Sequence, residues 1–368
     1  MFNSADSFSP DYAAARSKFL EHASAHGGGL ESIRHPERGP DGAELTTDVA
    51  WFGPRSADKV LVMISATHGV EGFCGSGSQI DFLRRGEVEA APDGVAILMI
   101  HAINPYGFAW IRRTTHENID LNRNWIDFAR PLPVNDGYET LHDDLCPSTW
   151  DQASQDQSQK ALAAFAEQHG EYAMRRAVTG GQYRHPDGLH YGGVGPSWSR
   201  ETQTRVFQTY LDQAGMIAIL DYHTGLGPWG YGEQIVTAPV DSDITARARD
   251  WFGAGITSIR DGSSSAADLD GDGLSAAPAL LSHAKVTAVA LEFGTKPSPE
   301  VRAAMRADNW LHSHGDPLSP QGQAIKRELR DAFYGDSDDW KGLIAGQSLL
   351  ACRQAMRGLA SSPAGATV

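Results

Sequence analysis

The sequence predicts an α/β protein, a three-layer α/β/α sandwich around a central mixed, largely parallel sheet. Three observations predict it. Apolar runs recur at 60–64 (VLVMI), 95–100 (VAILMI), 216–220 (MIAIL) and 286–291 (VTAVAL), the pattern of strands buried on both faces. Stretches with helical spacing separate them, which implies helices on both sides of the sheet. Each run also ends in polar, chemistry-bearing residues, at the strand ends where open α/β sheets bind ligands.

Taken in order, residues 11–26 alternate apolar and polar side chains at helical spacing, and Gly27, Gly28 and Gly29 stop that helix. A strand is expected over 45–52 and its neighbour over 59–65. Residues 75–86 form a short helix with Arg84 and Arg85 at its C-terminal end, where cations suit the helix dipole. The strand at 95–100 is stopped by Asn104-Pro105, which forces a turning backbone. Residues 154–178 read as one long helix, and 180–198 as an aromatic, Gly-rich loop of the type that forms lids or substrate walls. Ser199 caps a helix to about residue 214. Beyond the strand at 216–220, a strand at 235–240, helices at 243–252 and 278–283, and the strand at 286–291 follow. The remainder, 299–311, 319–333 and 337–359, is helical. No linker or repeat divides the chain, so a single domain over 1–358 with a loose tail at 359–368 is expected.

The chain has 368 residues, 41% hydrophobic and 21% charged, with 31 Lys and Arg against 46 Asp and Glu. The resulting formal charge of −15 disfavours nucleic acid and anionic membranes as partners. No apolar run approaches a membrane span, and the first residues lack a basic region followed by an apolar core. Cys74, Cys146 and Cys352 are three in number and widely spaced, which suits a reducing cytoplasm better than a disulfide framework.

Chemistry concentrates at four strand ends. The first gives His68 and Glu71, three apart beside Gly69 and Gly72; an imidazole and a carboxylate so placed are the residue types of a catalytic zinc site. The loop at 111–125, IRRTTHENIDLNRNW, gathers Arg112, Arg113, Asp120, Asn122 and Arg123, and arginine forks hold carboxylates bidentately. His223 follows the third run as His68 follows the first, and Glu292 ends the fourth.

In that order, His-x-x-Glu, Asn-Pro-x-Gly, Arg ahead of Asp-Leu-Asn-Arg-Asn, a later His and a strand-ending Glu resemble the zinc metallocarboxypeptidase family. The resemblance is nearest to its uncharacterised bacterial cytosolic branch and to the succinylglutamate desuccinylase and aspartoacylase relatives, over roughly residues 59–295. It implies one Zn2+ per chain held by His68, Glu71 and His223, with a fourth position for water. It further implies Asp120 as the carboxylate orienting a ligand imidazole and Glu292 as general base. Arg113 matches the carbonyl-polarising arginine better than Arg112, and Asn122 and Arg123 match the grip on a substrate carboxylate, with Arg112 beside them. Many members use a mobile tyrosine before the base; Tyr231 and Tyr191 are the nearest residues here, and neither carries a motif.

The expected activity is hydrolysis of a peptide or amide bond adjacent to a free carboxylate, on a small molecule or short peptide. N-acyl amino acid deacylation is the alternative on the same metal site, and a catalytically silent binding protein is the third reading. His185 and His190 in the Gly-rich loop fit substrate contact and plain structure equally. Asp268, Asp270, Asp272 and Gly273 begin a calcium-loop pattern, but Ala279 stands where the bidentate Glu belongs, so a polar loop is expected. His312 and His314 are expected at the surface.

Overall fold

A computed structural model describes residues 2–267 and 269–362. Asp268 of the acidic loop and tail residues 363–368 lie outside the described residues. Among the described residues, eight strands form one sheet: β1 (Gly29–Arg38), β2 (Glu44–Phe52), β3 (Lys59–Ile64), β4 (Val95–His101), β5 (Met216–Trp229), β6 (Gly232–Val236), β7 (Ile256–Ser258) and β8 (Lys285–Gly294). Their order is β1-β2-β4-β3-β5-β8-β6-β7. The four apolar runs occupy the middle, β4-β3-β5-β8, and pair in parallel, whereas β1-β2, β2-β4 and β6-β8 are antiparallel. The sheet is thus the expected mixed one with a parallel centre.

Helices cover both faces. They are α1 (Tyr12–Ala25), α2 (Gly72–Arg84), α3 (Pro105–Ala109), α4 (Asp136–Leu145), α5 (Gln152–His169), α6 (Glu171–Thr179), α7 (Trp198–Tyr210), α8 (Asp243–Phe252), α9 (Gly273–Leu280), α10 (Ser298–His314), α11 (Pro320–Phe333) and α12 (Asp338–Ser361). One apolar layer gathers Leu61, Met63, Ile97 and Met99 with Phe19, Phe73 and Trp340; the other gathers Val60, Val62, Leu98 and Ile219 with Phe207 and Leu281. Alternate residues of each central strand therefore feed opposite cores, as a doubly covered strand must.

Several elements differ from expectation. The single helix over 154–178 is two, broken at Gly170, whose φ of 90° leaves the helical region. β1 escapes sequence reading because it is an edge strand, mostly solvent-exposed and carrying Pro36. The last helix continues to Ser361, burying Leu359. His312 is not at the surface: it is half-buried and accepts a hydrogen bond from Lys326 Nζ at 2.6 Å. No helix among the described residues is long and apolar enough to cross a membrane.

Candidate metal centre

The centre of the sheet delivers the site. After β3 the chain turns through Ala66, a non-glycine residue at φ 58°, and reaches His68 and Glu71 in a 3-10 turn. That turn is anchored on the arginine loop: Gly69 and Val70 donate to the carbonyls of Arg113 (3.0 Å) and Arg112 (2.9 Å). Glycine is required at 69, because a Cβ there would lie 2.0 Å from the Gly107 carbonyl carbon. Across the sheet, His223 of β5 and Glu292 of β8 are direct partners in the parallel register. The two strand ends therefore present an imidazole and a carboxylate side by side.

His68, Glu71 and His223 each offer a ligand atom within 4.8 Å of the others, and all three are buried. Both imidazoles turn Nδ1 to the Glu71 carboxylate, His68 at 3.0 Å and His223 at 2.8 Å. Their Nε2 atoms face buried carboxylates, Asp120 Oδ1 at 3.1 Å and Asp221 Oδ2 at 3.0 Å. A carboxylate behind each imidazole fixes its Nε2–H tautomer and leaves Nδ1 to bind a metal. Two nitrogens and one carboxylate fit a zinc ion with an open coordination position.

Asp120 is held by four donors: His68, Arg113 Nε at 3.1 Å, His190 Nδ1 at 3.1 Å and the Asn122 amide at 3.0 Å. Burial would raise its pKa, but the charge of Arg113, with His68 and Arg123, holds it well below the usual carboxylate range. Burial opposes ionisation of Glu71 too, and the two imidazoles overcome it and depress its carboxyl. His223 runs the other way, raised against burial by Asp221 and Glu71. Glu292 makes none of these contacts. Among the described residues it accepts only the Leu226 amide, at 3.0 Å, and burial followed by the Glu71 charge pushes its pKa upward.

A cavity of about 610 Å³ opens over the triad. Glu292, Arg113, Asn122, Arg123 and His190 line it with the three candidate ligands. Arg113 spends Nε on Asp120 and Nη1 on Glu71, leaving Nη2 with no hydrogen bond among the described residues. Arg123 donates to the Asn122 carbonyl at 2.9 Å and to the Thr179 carbonyl, while its buried Nε has no partner among the described residues. One predicted residue falls elsewhere. Arg112, expected to contact substrate, turns away from the cavity toward Asn118 Oδ1 (2.6 Å) and Asp308 (3.8 Å), because successive residues of an extended loop face opposite sides.

His190 resolves as a cavity residue that also props Asp120, whereas His185 stacks on His142 and contacts Glu139. Neither tyrosine lines the cavity: Tyr191 is buried and Tyr231 is half-exposed. Of the acidic loop, Asp272 caps α9 through Ser275 and lines the cavity. Two features were missed in the sequence. Asp221 stands two residues before His223, the strand spacing that puts both on one face, so the signal was present. The wall built by α6 and α10 had no local signal.

Residues 8–347 match the model of a family described as a protein of unknown function, DUF2817. No curated protein matches the chain in sequence. Among solved structures, carboxypeptidase A from Helicoverpa armigera aligns at a TM-score of 0.51 and 10% identity, over 96% of this chain and 74% of that one. A metallo-carboxypeptidase from Burkholderia cenocepacia aligns at 0.40 and 12%, over 93% and 68%. An aspartoacylase family protein from Mesorhizobium loti aligns at 0.37 and 14%, over 77% and 66%. The fold is thus carboxypeptidase-like.

Proposed function

We propose that this chain, which belongs to the DUF2817 family of proteins of unknown function, is a zinc-dependent hydrolase cleaving a peptide or amide bond next to a free carboxylate. The observation that carries this reading is the register of Glu292 against His223. It sets a carboxylate beside the metal-ligand triad yet leaves it uncommitted to any ligand or cation, as a general base requires.

His68, Glu71 and His223 would hold the ion, with Asp120 and Asp221 orienting the imidazoles. Zinc bound there supplies a Lewis acid and lowers the pKa of a water to about 7. Glu292 takes the proton from the attacking water and passes it to the departing amine. Arg113 offers Nη2 to the carbonyl oxygen as negative charge develops on it, and Glu71 and Asp120 hold the guanidinium in place meanwhile. Asn122 and Arg123, on the same wall, bind the substrate carboxylate.

The test has two stages. Elemental analysis of protein purified without added metal should give one zinc per chain, lost in His68→Ala. A panel of N-blocked dipeptides and N-acyl amino acids should then be hydrolysed by wild type and not by Glu292→Gln. No zinc, or full activity in Glu292→Gln, would remove the proposal.

A further inference from the structure

The cavity wall holds two more guanidiniums that the reaction above does not use. Arg302 of α10 and Arg175 of α6 both line it. Arg302 is half-buried and has no hydrogen bond or ion pair among the described residues. Its neighbour one turn on, Arg306, shows how the protein otherwise treats a buried cation: it donates to the carbonyls of Leu145 and Asp144, both at 2.9 Å. A partly desolvated guanidinium left open toward a cavity lacks the partner that burial demands.

The helices say where this cation lies. Val301, beside Arg302, lies against Gly225, where a Cβ would stand 3.6 Å from Val301 Cγ1, so the start of α10 borders the strand that carries His223. Asn122 instead borders the start of α9, accepting from the Gly273 amide at 3.4 Å. Helix α6 runs between the two. Its first residue, Glu171, is near enough to act on Arg302 electrostatically though beyond ion-pair reach, and the carbonyl of its last, Thr179, takes Arg123. Eight steps of 1.5 Å put the two ends about 12 Å apart. Arg175 projects from the middle of that helix, so two cations stand against the one acid, Glu171. Between the arginines the wall is apolar, with Met174, Val178, Leu189 and Met305.

We propose that Arg302, assisted by Arg175, is an anion subsite for an acidic group on the half of the substrate remote from the Asn122–Arg123 grip. The ligand is then an amide anionic at both ends, its two charges separated by on the order of 10 Å, the scale of α6. This rests on the hydrolase reading for which half departs. The acidic group can belong to a side chain or to an acyl chain, and the experiment separates these.

Zinc-loaded full-length protein is assayed on two matched pairs, acetyl-Glu-Leu with acetyl-Gln-Leu, and glutaryl-Leu with pentanoyl-Leu. The acidic member of at least one pair should be preferred about tenfold or more in kcat/KM, and the favoured pair identifies the source. Arg302→Gln should bring that ratio close to one, and Arg302→Lys, which keeps the charge, should retain most of it. Equal use of acidic and neutral members by wild type overturns the subsite, as does a preference that survives in Arg302→Gln. The same pairs are titrated by calorimetry into Glu292→Gln. If wild type hydrolyses no probe, the hydrolase reading fails while tighter binding of an acidic probe still supports the subsite. Absence of that preference in the titration overturns it.

Discussion

Asp221 Oδ2 lies 3.0 Å from His223 Nε2, and Thr67 Oγ1 donates to the other Asp221 oxygen at 2.8 Å. The arrangement repeats, on the neighbouring strand, what Asp120 does for His68. Two imidazoles are thereby each locked by a buried carboxylate while sharing Glu71. Asp221→Ala should weaken zinc binding by roughly 10–100-fold, measured by chelator competition. Asp221→Asn, which keeps an oxygen for Nε2–H, should lose less. Unchanged affinity in Asp221→Ala would show that strand β5 alone orients His223.

Glu292→Gln separates base from ligand. The amide keeps the shape and can still accept from the Leu226 amide, but it cannot take a proton. Turnover should fall by about 10²–10⁴-fold with zinc content unchanged, read by steady-state kinetics alongside metal analysis. Loss of zinc together with activity would reassign Glu292 to the ligand set.

The turn carrying His68 and Glu71 has no room to give. A Cβ at position 69 would meet Gly107 Cα and the Phe108 amide nitrogen at 2.3 Å, besides the Gly107 carbonyl carbon, and all three are backbone. Gly69→Ala must therefore move the turn itself, at a cost of about 1–3 kcal/mol or more. Both a lowered melting temperature and less than one zinc per chain are expected. A variant that keeps full zinc occupancy would mean that the Gly107 segment yields instead.

The parallel centre of the sheet and the residues at its strand ends were legible because they are local. An apolar run followed by a polar turn reports burial and a C-terminal strand edge within ten residues. Asp221 was equally legible, since period 2 puts it on the face of His223. Direction within the arginine loop was not: Arg112 and Arg113 are alike in sequence, and only the packing of Asp308 and Asn118 on one side and Glu71 on the other separates them. The same holds for Arg302, which meets the cavity beside α6, an element far earlier in the chain. The burial of His312 escapes sequence reading for the same reason, since Lys326 reaches it from α11.

A buried histidine outside the site contributes to acid stability. His101, in β4, is fully buried, its Nε2 2.8 Å from Ser76 Oγ and its Nδ1 without a partner among the described residues. Its ring stacks on Phe19 at 4.4 Å. Burial is the chief cause that pushes its pKa down to about 4, against an ordinary 6.5. The folded pKa is the lower one, so protons favour the unfolded chain. The stabilising effect is fully present above pH 6.5 and is lost as the pH falls toward about 4. At one pH unit per ~1.4 kcal/mol, the whole effect is about 3 kcal/mol. Urea unfolding of wild type and His101→Leu at pH 7, 6, 5 and 4.5 measures it. The variant is offset at every pH by its lost Ser76 contact, but wild type should lose stability more steeply below pH 6.5, and the two curves should converge. Parallel curves would mean that the imidazole finds a proton acceptor in the folded state, and that acid stability is set by the other half-buried and buried histidines.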